Sequence, residues 1–125
     1  MPGRVRFIDH GGVQILYLDF TGIRDPASAQ DAVEEAKEIV TAQPEGSLLT
    51  LTDVTGAESS PAIAKVLYEL ARHNKPWVRA SAVVGASGEG EKVFLLVRDM
   101  SRRKLTAFTT SDAAKDWLVE QARAT

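Results

Sequence analysis

At 125 residues, 44% apolar and 26% charged, the chain has the make-up of one ordinary globular domain, large enough for a core and too short for two. A net charge of −2 excludes the strongly basic surface that bulk nucleic-acid binding needs, and the absence of cysteine excludes disulfides and thiolate chemistry. No uncharged run approaches the roughly 20 residues of a membrane span, so stable membrane insertion is not expected.

The start of the chain, Met1-Pro2-Gly3-Arg4-Val5-Arg6, lacks the apolar segment of a secretion signal, which with the missing cysteine leads to the expectation of a cytoplasmic protein. Val5, Phe7 and Ile8, interleaved with Arg4, Arg6 and Asp9, read as a short first strand, and Asp9-His10-Gly11-Gly12 as a turn. Residues 13–20 form a second, more apolar strand, giving an antiparallel hairpin that Thr21-Gly22 ends. Either Asp25-Pro26 or Ser28 can open the next helix, whose inner stripe is Ala29, Ala32, Val33, Ala36, Ile39 and Val40; Pro44-Glu45-Gly46 stops it.

Residues 48–54, apolar and β-branched between Gly46 and Gly56, suit a strand covered on both faces. The polar loop Thr55-Gly56-Ala57-Glu58-Ser59 leads to Ser60-Pro61, an N-cap serine followed by proline at the first helical position, where its missing N–H costs nothing. Ile63, Val66, Leu67, Leu70 and Ala71 then mark one helical face. Asn74-Lys75-Pro76 ends that helix, residues 78–84 read as a buried strand, and Gly85-Ala86-Ser87-Gly88-Glu89-Gly90 as a flexible loop. Val93, Phe94, Leu96, Val97 and Met100 give an amphipathic helix that runs into the basic series Arg98, Arg102, Arg103 and Lys104. Residues 105–108 are a last strand, and Ser111-Asp112 cap a closing helix with Ala114, Trp117, Leu118 and Gln121 on one side. The expected fold is α/β, a single domain over 1–125 in the order ββαβαβαβα, with a mostly parallel five-stranded sheet and an antiparallel N-terminal strand.

Four segments resemble a known family: Leu18-Asp19-Phe20-Thr21-Gly22, Thr52-Asp53-Val54-Thr55-Gly56, Ser81-Ala82-Val83-Val84-Gly85, and the closing Phe108-Thr109-Thr110-Ser111-Asp112-Ala113-Ala114-Lys115-Asp116-Trp117-Leu118. Together they look like the SpoIIAA-like, STAS-type small domains of bacteria. The resemblance implies a (βα) superhelical fold, an architecture shared with anti-sigma-factor antagonists and, more distantly, with lipid-carrying CRAL-TRIO domains. It also implies a phosphorylatable hydroxyl after an Asp at the turn into the second helix. Here Thr55 of Asp53-Val54-Thr55-Gly56 holds the matching place, while the helix start lies later, so Thr55, Ser59 and Ser60 compete for that role.

The carboxyl end of a parallel strand beside a helix N-terminus is where open α/β sheets place ligands, so Asp53, Thr55, Glu58, Ser59 and Ser60 are the candidate partner or phospho-switch residues. Against that, Ser60 is accounted for as a cap and Thr55 as a turn residue. Nucleophilic catalysis needs a base within hydrogen-bond reach, yet His10 lies in the hairpin turn and His73 thirteen residues from Ser60, about 20 Å along a helix. No catalytic, metal-binding or cofactor-binding residues are expected. Phe94, Val97 and Met100 are candidates for contact with an apolar ligand, although helical spacing equally suits core packing. The resulting expectation is a non-enzymatic, STAS-like regulatory module that binds a protein partner through the 53–60 loop and the following helix. The alternative is a carrier or sensor of an apolar small molecule such as a lipid or fatty acid. A homodimer through an edge strand is compatible with either.

Overall fold

The structure is a computed structural model that describes residues 3–101 and 104–124. Among the described residues nine elements follow one another as β1 (Val5–His10), β2 (Val13–Asp19), α1 (Pro26–Thr41), β3 (Leu48–Asp53), α2 (Pro61–Asn74), β4 (Val78–Val84), α3 (Glu89–Ser101), β5 (Leu105–Phe108) and α4 (Ser111–Arg123). This is the expected α/β order. The strands lie in sequence across one sheet, β1-β2-β3-β4-β5, with β1 antiparallel to β2 and every other pair parallel.

Because the parallel crossovers all step the same way across the sheet, crossovers of one hand stack their helices on one face. Helices α1, α2 and α3 accordingly lie side by side, and α4 alone returns to the other face. Strand alternation divides the core between the two faces. Leu16, Leu18 and Leu48 meet α1 and α2, whereas Ile15, Leu49, Leu51 and Ala82 meet Ala114 and Leu118 of α4. Burying a central strand on both faces explains the unbroken apolar run of β3, whose first four residues are all buried.

Local chemistry fixes the element ends. The hairpin turn is only Gly11-Gly12, both at positive φ (58° and 78°), the two-residue turn that matches strand twist, so β1 runs on through Asp9 and His10. Of the two candidate openings of α1, Asp25 is the cap, its carboxylate accepting from Ser28 N at 2.8 Å. Ser60 caps α2 as expected, accepting from Ile63 N at 3.3 Å.

Two expected boundaries are corrected. Thr110, not Ser111, caps α4: its hydroxyl accepts from Ala113 N at 3.2 Å, and Ser111 is already helical. The stretch expected to be a loop through Gly90 turns helical at Glu89, so Gly90 sits in the first turn of α3 despite its low helix propensity. The basic residues Arg102 and Arg103 lie outside the described residues. Arg98 pairs with its neighbour Asp99 at 3.1 Å. Among the described residues no helix is long and apolar enough to cross a membrane.

Candidate functional site

The carboxyl ends of β2 and β3 carry the same four-residue turn twice, Asp19-Phe20-Thr21-Gly22 and Asp53-Val54-Thr55-Gly56. In each, the Asp carboxylate accepts from both the backbone N–H and the hydroxyl of the Thr two residues on, at 3.0 and 2.5 Å for Asp19 and at 3.0 and 2.6 Å for Asp53. Each ends on a glycine at positive φ, Gly22 at 68° and Gly56 at 72°. The turns are bonded to each other, Phe20 N to Asp53 O at 2.9 Å and Gly22 N to Thr55 O at 3.0 Å. On the far side, Val54 N donates to Val84 O at 2.9 Å, and Gly85 lies so close beneath the turn that a Cβ there would stand 2.7 Å from the backbone of Thr55. The loop on which the site candidates sit is therefore clamped from both neighbouring strands.

Asp53 and Thr55 are occupied within this clamp. The remaining carboxylate oxygen of Asp53 accepts from the Tyr17 hydroxyl at 3.2 Å, and the Arg6 guanidinium lies over the Tyr17 ring, 4.9 Å from its centroid. Burial, with the negative charges of Asp53 and Asp19 beside it, pushes the Tyr17 hydroxyl up to about 12. At Asp19 burial works to raise the carboxyl. The Thr21 hydrogen bonds and the charges of Arg4 and Arg6 outweigh it and hold the group below the usual carboxylate range. This polar group stands on the α4 side of the sheet, in line with Tyr17 and Leu51 of the same strands.

The other face holds an opening. Between the sheet and helices α2 and α3 lies a cavity of about 240 Å³. It is larger than the roughly 150 Å³ apolar void that binds benzene in an engineered protein. Leu18, Val83, Leu67, Leu70, Phe94 and Val97 form its walls. The cavity exists because α3 packs chiefly against α2 and not on β4 and β5, burying only Phe94, Val97 and Ser101. Its mouth is the rim formed by Gly56, Ala57, Glu58 and Ser59 on one side and Ser87 and Gly90 on the other. The rim is close-set, since a Cβ at Gly90 would lie 3.4 Å from the Ser59 hydroxyl.

Its inner end is polar. Thr50 on β3 and Ser81 on β4 are paired in register, and their hydroxyls are hydrogen-bonded to each other. Asn74, at the end of α2, lines the same end and is equally buried, its carboxamide oxygen 2.9 Å from His73 Nδ1.

The candidates thus separate. Glu58 and Ser59 stand at the mouth and Phe94 and Val97 in the wall, while Asp53 and Thr55 brace the rim and Ser60 caps α2. Met100 does not line this cavity. The stripe that α3 turns inward is Phe94, Val97 and Ser101, which leaves Met100 57% exposed in a shallow groove with Leu96 and Tyr68. Thr50, Ser81 and Asn74 were not anticipated. Hydroxyls inside otherwise apolar strand runs were the available signal.

Both histidines lie at the other end of the strands. His10 bonds Asp116 of α4 at 2.8 Å, and His73 stacks on Trp77 with ring centroids 5.4 Å apart. Comparison with protein-family models, with curated proteins and with solved structures returns no match to this chain.

Proposed function

We propose that this protein binds a small, mainly apolar molecule in the cavity between its sheet and helices α2 and α3, and does so without turning it over. The carrying observation is the cavity itself, about 240 Å³ with apolar walls and a rim made by the loop that the sequence singles out. Ligand sites are concave, mostly apolar, and marked by a few convergent polar groups, and this one is all three. Neither histidine lines the cavity: His10 is bonded to Asp116 of α4, and His73 is held beside the polar end by Asn74 and stacked on Trp77, which supports the absence of turnover. A STAS-type kinship and a cytoplasmic setting belong to the same proposal.

Native mass spectrometry after gentle purification, together with titration of an environment-sensitive apolar dye, tests it. A bound hydrophobic species, or dye binding that Val83→Phe abolishes, supports the reading. A clean unliganded mass with no dye binding refutes it.

A second reading has its own observation. Leu95, Leu96 and Met100 are exposed large apolar residues on α3, and the last two border the groove against Tyr68 of α2. Such a patch suits a protein partner. Val97 lines both the groove and the cavity, so occupancy of one bears on the other. Under this reading Ser59, whose hydroxyl is outside the helix cap and at the cavity's rim, just before the Pro61 that borders the groove, is the residue whose phosphorylation would change the charge beside that surface.

A further inference from the structure

We infer that the outer face of α3 is a dimer interface, on which a second copy of this chain docks with its own α3 antiparallel, Leu95 and Leu96 at the centre and Lys92 of each copy opposite Asp99 of the other. The inference rests on the second reading above, that this patch meets a protein, and it names that protein.

Among the described residues the exposed large apolar side chains are Leu95, Leu96 and Met100, all on α3. The helix buries Phe94, Val97 and Ser101. At about 100° per residue, the direction opposite that buried stripe falls between Lys92 and Asp99, with Leu95 and Leu96 roughly 50° to either side of it. Two leucines thus flank the line along which α3 faces solvent, and a cation and an anion lie on that line. Met100 continues the Leu96 side into the groove against Tyr68 of α2, so the apolar surface is not confined to one helix.

The order of charges along this line selects a second copy. Lys92 lies three residues before Leu95 and Asp99 three residues after Leu96, so each stands about 5 Å along the helix from the midpoint of the two leucines. A twofold axis at that midpoint turns α3 end for end, which brings each copy's Lys92 opposite the other's Asp99 and forms the pair twice. A parallel arrangement sets Lys92 against Lys92 and Asp99 against Asp99. Within the chain these two groups pair only at the surface, Lys92 with Glu89 and Asp99 with Arg98, both at 3.1 Å. Exposed pairs of that kind are worth little, so they leave both charges able to meet a partner. The leucines supply the buried apolar area, and the charges fix its direction. One helix face and a shallow groove make a small interface, so the dimer is expected to be weak, with Kd in the micromolar range.

Sedimentation velocity from micromolar to millimolar concentration tests it, together with photocrosslinking of a Leu96→benzoylphenylalanine variant in the cells that make the protein. Wild-type protein is expected to dimerise, and Leu96→Asp, a change at an exposed position, to stay monomeric with its circular dichroism unaltered. Lys92→Glu and Asp99→Lys should each weaken the dimer about tenfold, because each sets like charges opposite one another twice. Combined in one chain, the two should bring it back to within about threefold of wild type. A monomer at every concentration, or a dimer that Leu96→Asp leaves unchanged, overturns the inference. So do reversals that are not rescued in combination, since they deny the pairing of Lys92 with Asp99. In cells, a crosslinked species of twice the chain mass is expected. A crosslink to a different protein, with a monomer in solution, overturns the second copy and keeps the patch as a protein surface. No crosslink at all, again with a monomer in solution, overturns both readings.

Discussion

Gly85 lies directly beneath Thr55, so close that any side chain at position 85 would displace the turn that shapes the cavity's rim. Two consequences follow from this contact. Gly85, at φ +88°, takes a conformation that side-chain-bearing residues rarely adopt, and the Thr55 backbone occupies the place of a Cβ. Gly85→Ala should therefore cost about 2 kcal/mol or more in urea unfolding. Gly88→Ala, at φ +55° with open space around it, should cost only about 1 kcal/mol. Equal costs would mean that the turn yields freely and the rim is not clamped.

The two sides of the sheet should differ in their sensitivity to truncation. Leu51 is fully buried under α4, and Leu51→Ala should cost roughly 2–5 kcal/mol. Leu67 is part-buried with cavity on one side, so Leu67→Ala should cost less than about 2 kcal/mol, there being fewer contacts to lose. Val83→Phe adds volume into open space and should raise thermal stability by the equivalent of about 1 kcal/mol. A large loss at Val83→Phe, seen in a melting curve, would mean that the space is not there.

Tyr17 gives a spectroscopic handle on the twin turns. In a Tyr68→Phe background it is the remaining tyrosine, and its phenolate absorbance should rise with a midpoint near 12, not at the usual 10.0. Asp53→Asn should move the midpoint part of the way back, since burial persists. The folded state holds the Tyr17 proton more tightly than the unfolded chain does. Its contribution to stability is therefore complete below the unfolded value and is lost as pH rises through the window from 10.0 to about 12. Asp19 acts in the opposite sense: its lowered value supports stability above the ordinary carboxylate range, and that support is lost as pH falls through its own lower value.

The cap of α4 separates two adjacent hydroxyls. Thr110→Ala should cost about 1 kcal/mol because Ala113 N loses its acceptor, whereas Ser111→Ala should stay within about 0.5 kcal/mol. Chemical denaturation of the two variants decides between them.

The sequence made most of the element order legible through local punctuation: Gly11-Gly12 permits the positive-φ hairpin turn, and Asp25-Pro26 and Ser60-Pro61 mark helix starts. Helix α3 lacks such a mark. Glu89-Gly90 offers no capping side chain, and Gly90 argues against helix, so its true start depended on docking against α2. The same docking leaves β4 and β5 partly uncovered, and no short-range pattern encodes a space between elements. Thr50 and Ser81 are unremarkable alone. Only the β3–β4 register brings them together, and register is a relation between distant segments. Met100 looked like its neighbours Phe94 and Val97 because apolar character says which residues avoid water, not which of two faces a helix presents to a cavity.

With α4 alone on one side of the sheet and three helices on the other, the chain's scaffold and its vacancy are kept apart. The layer under α4 is filled by Leu51, Ala82 and Leu118 whatever occupies the opposite side. Under the proposed binding, the chain would hold its shape with the cavity empty, and uptake of a ligand would not be coupled to folding.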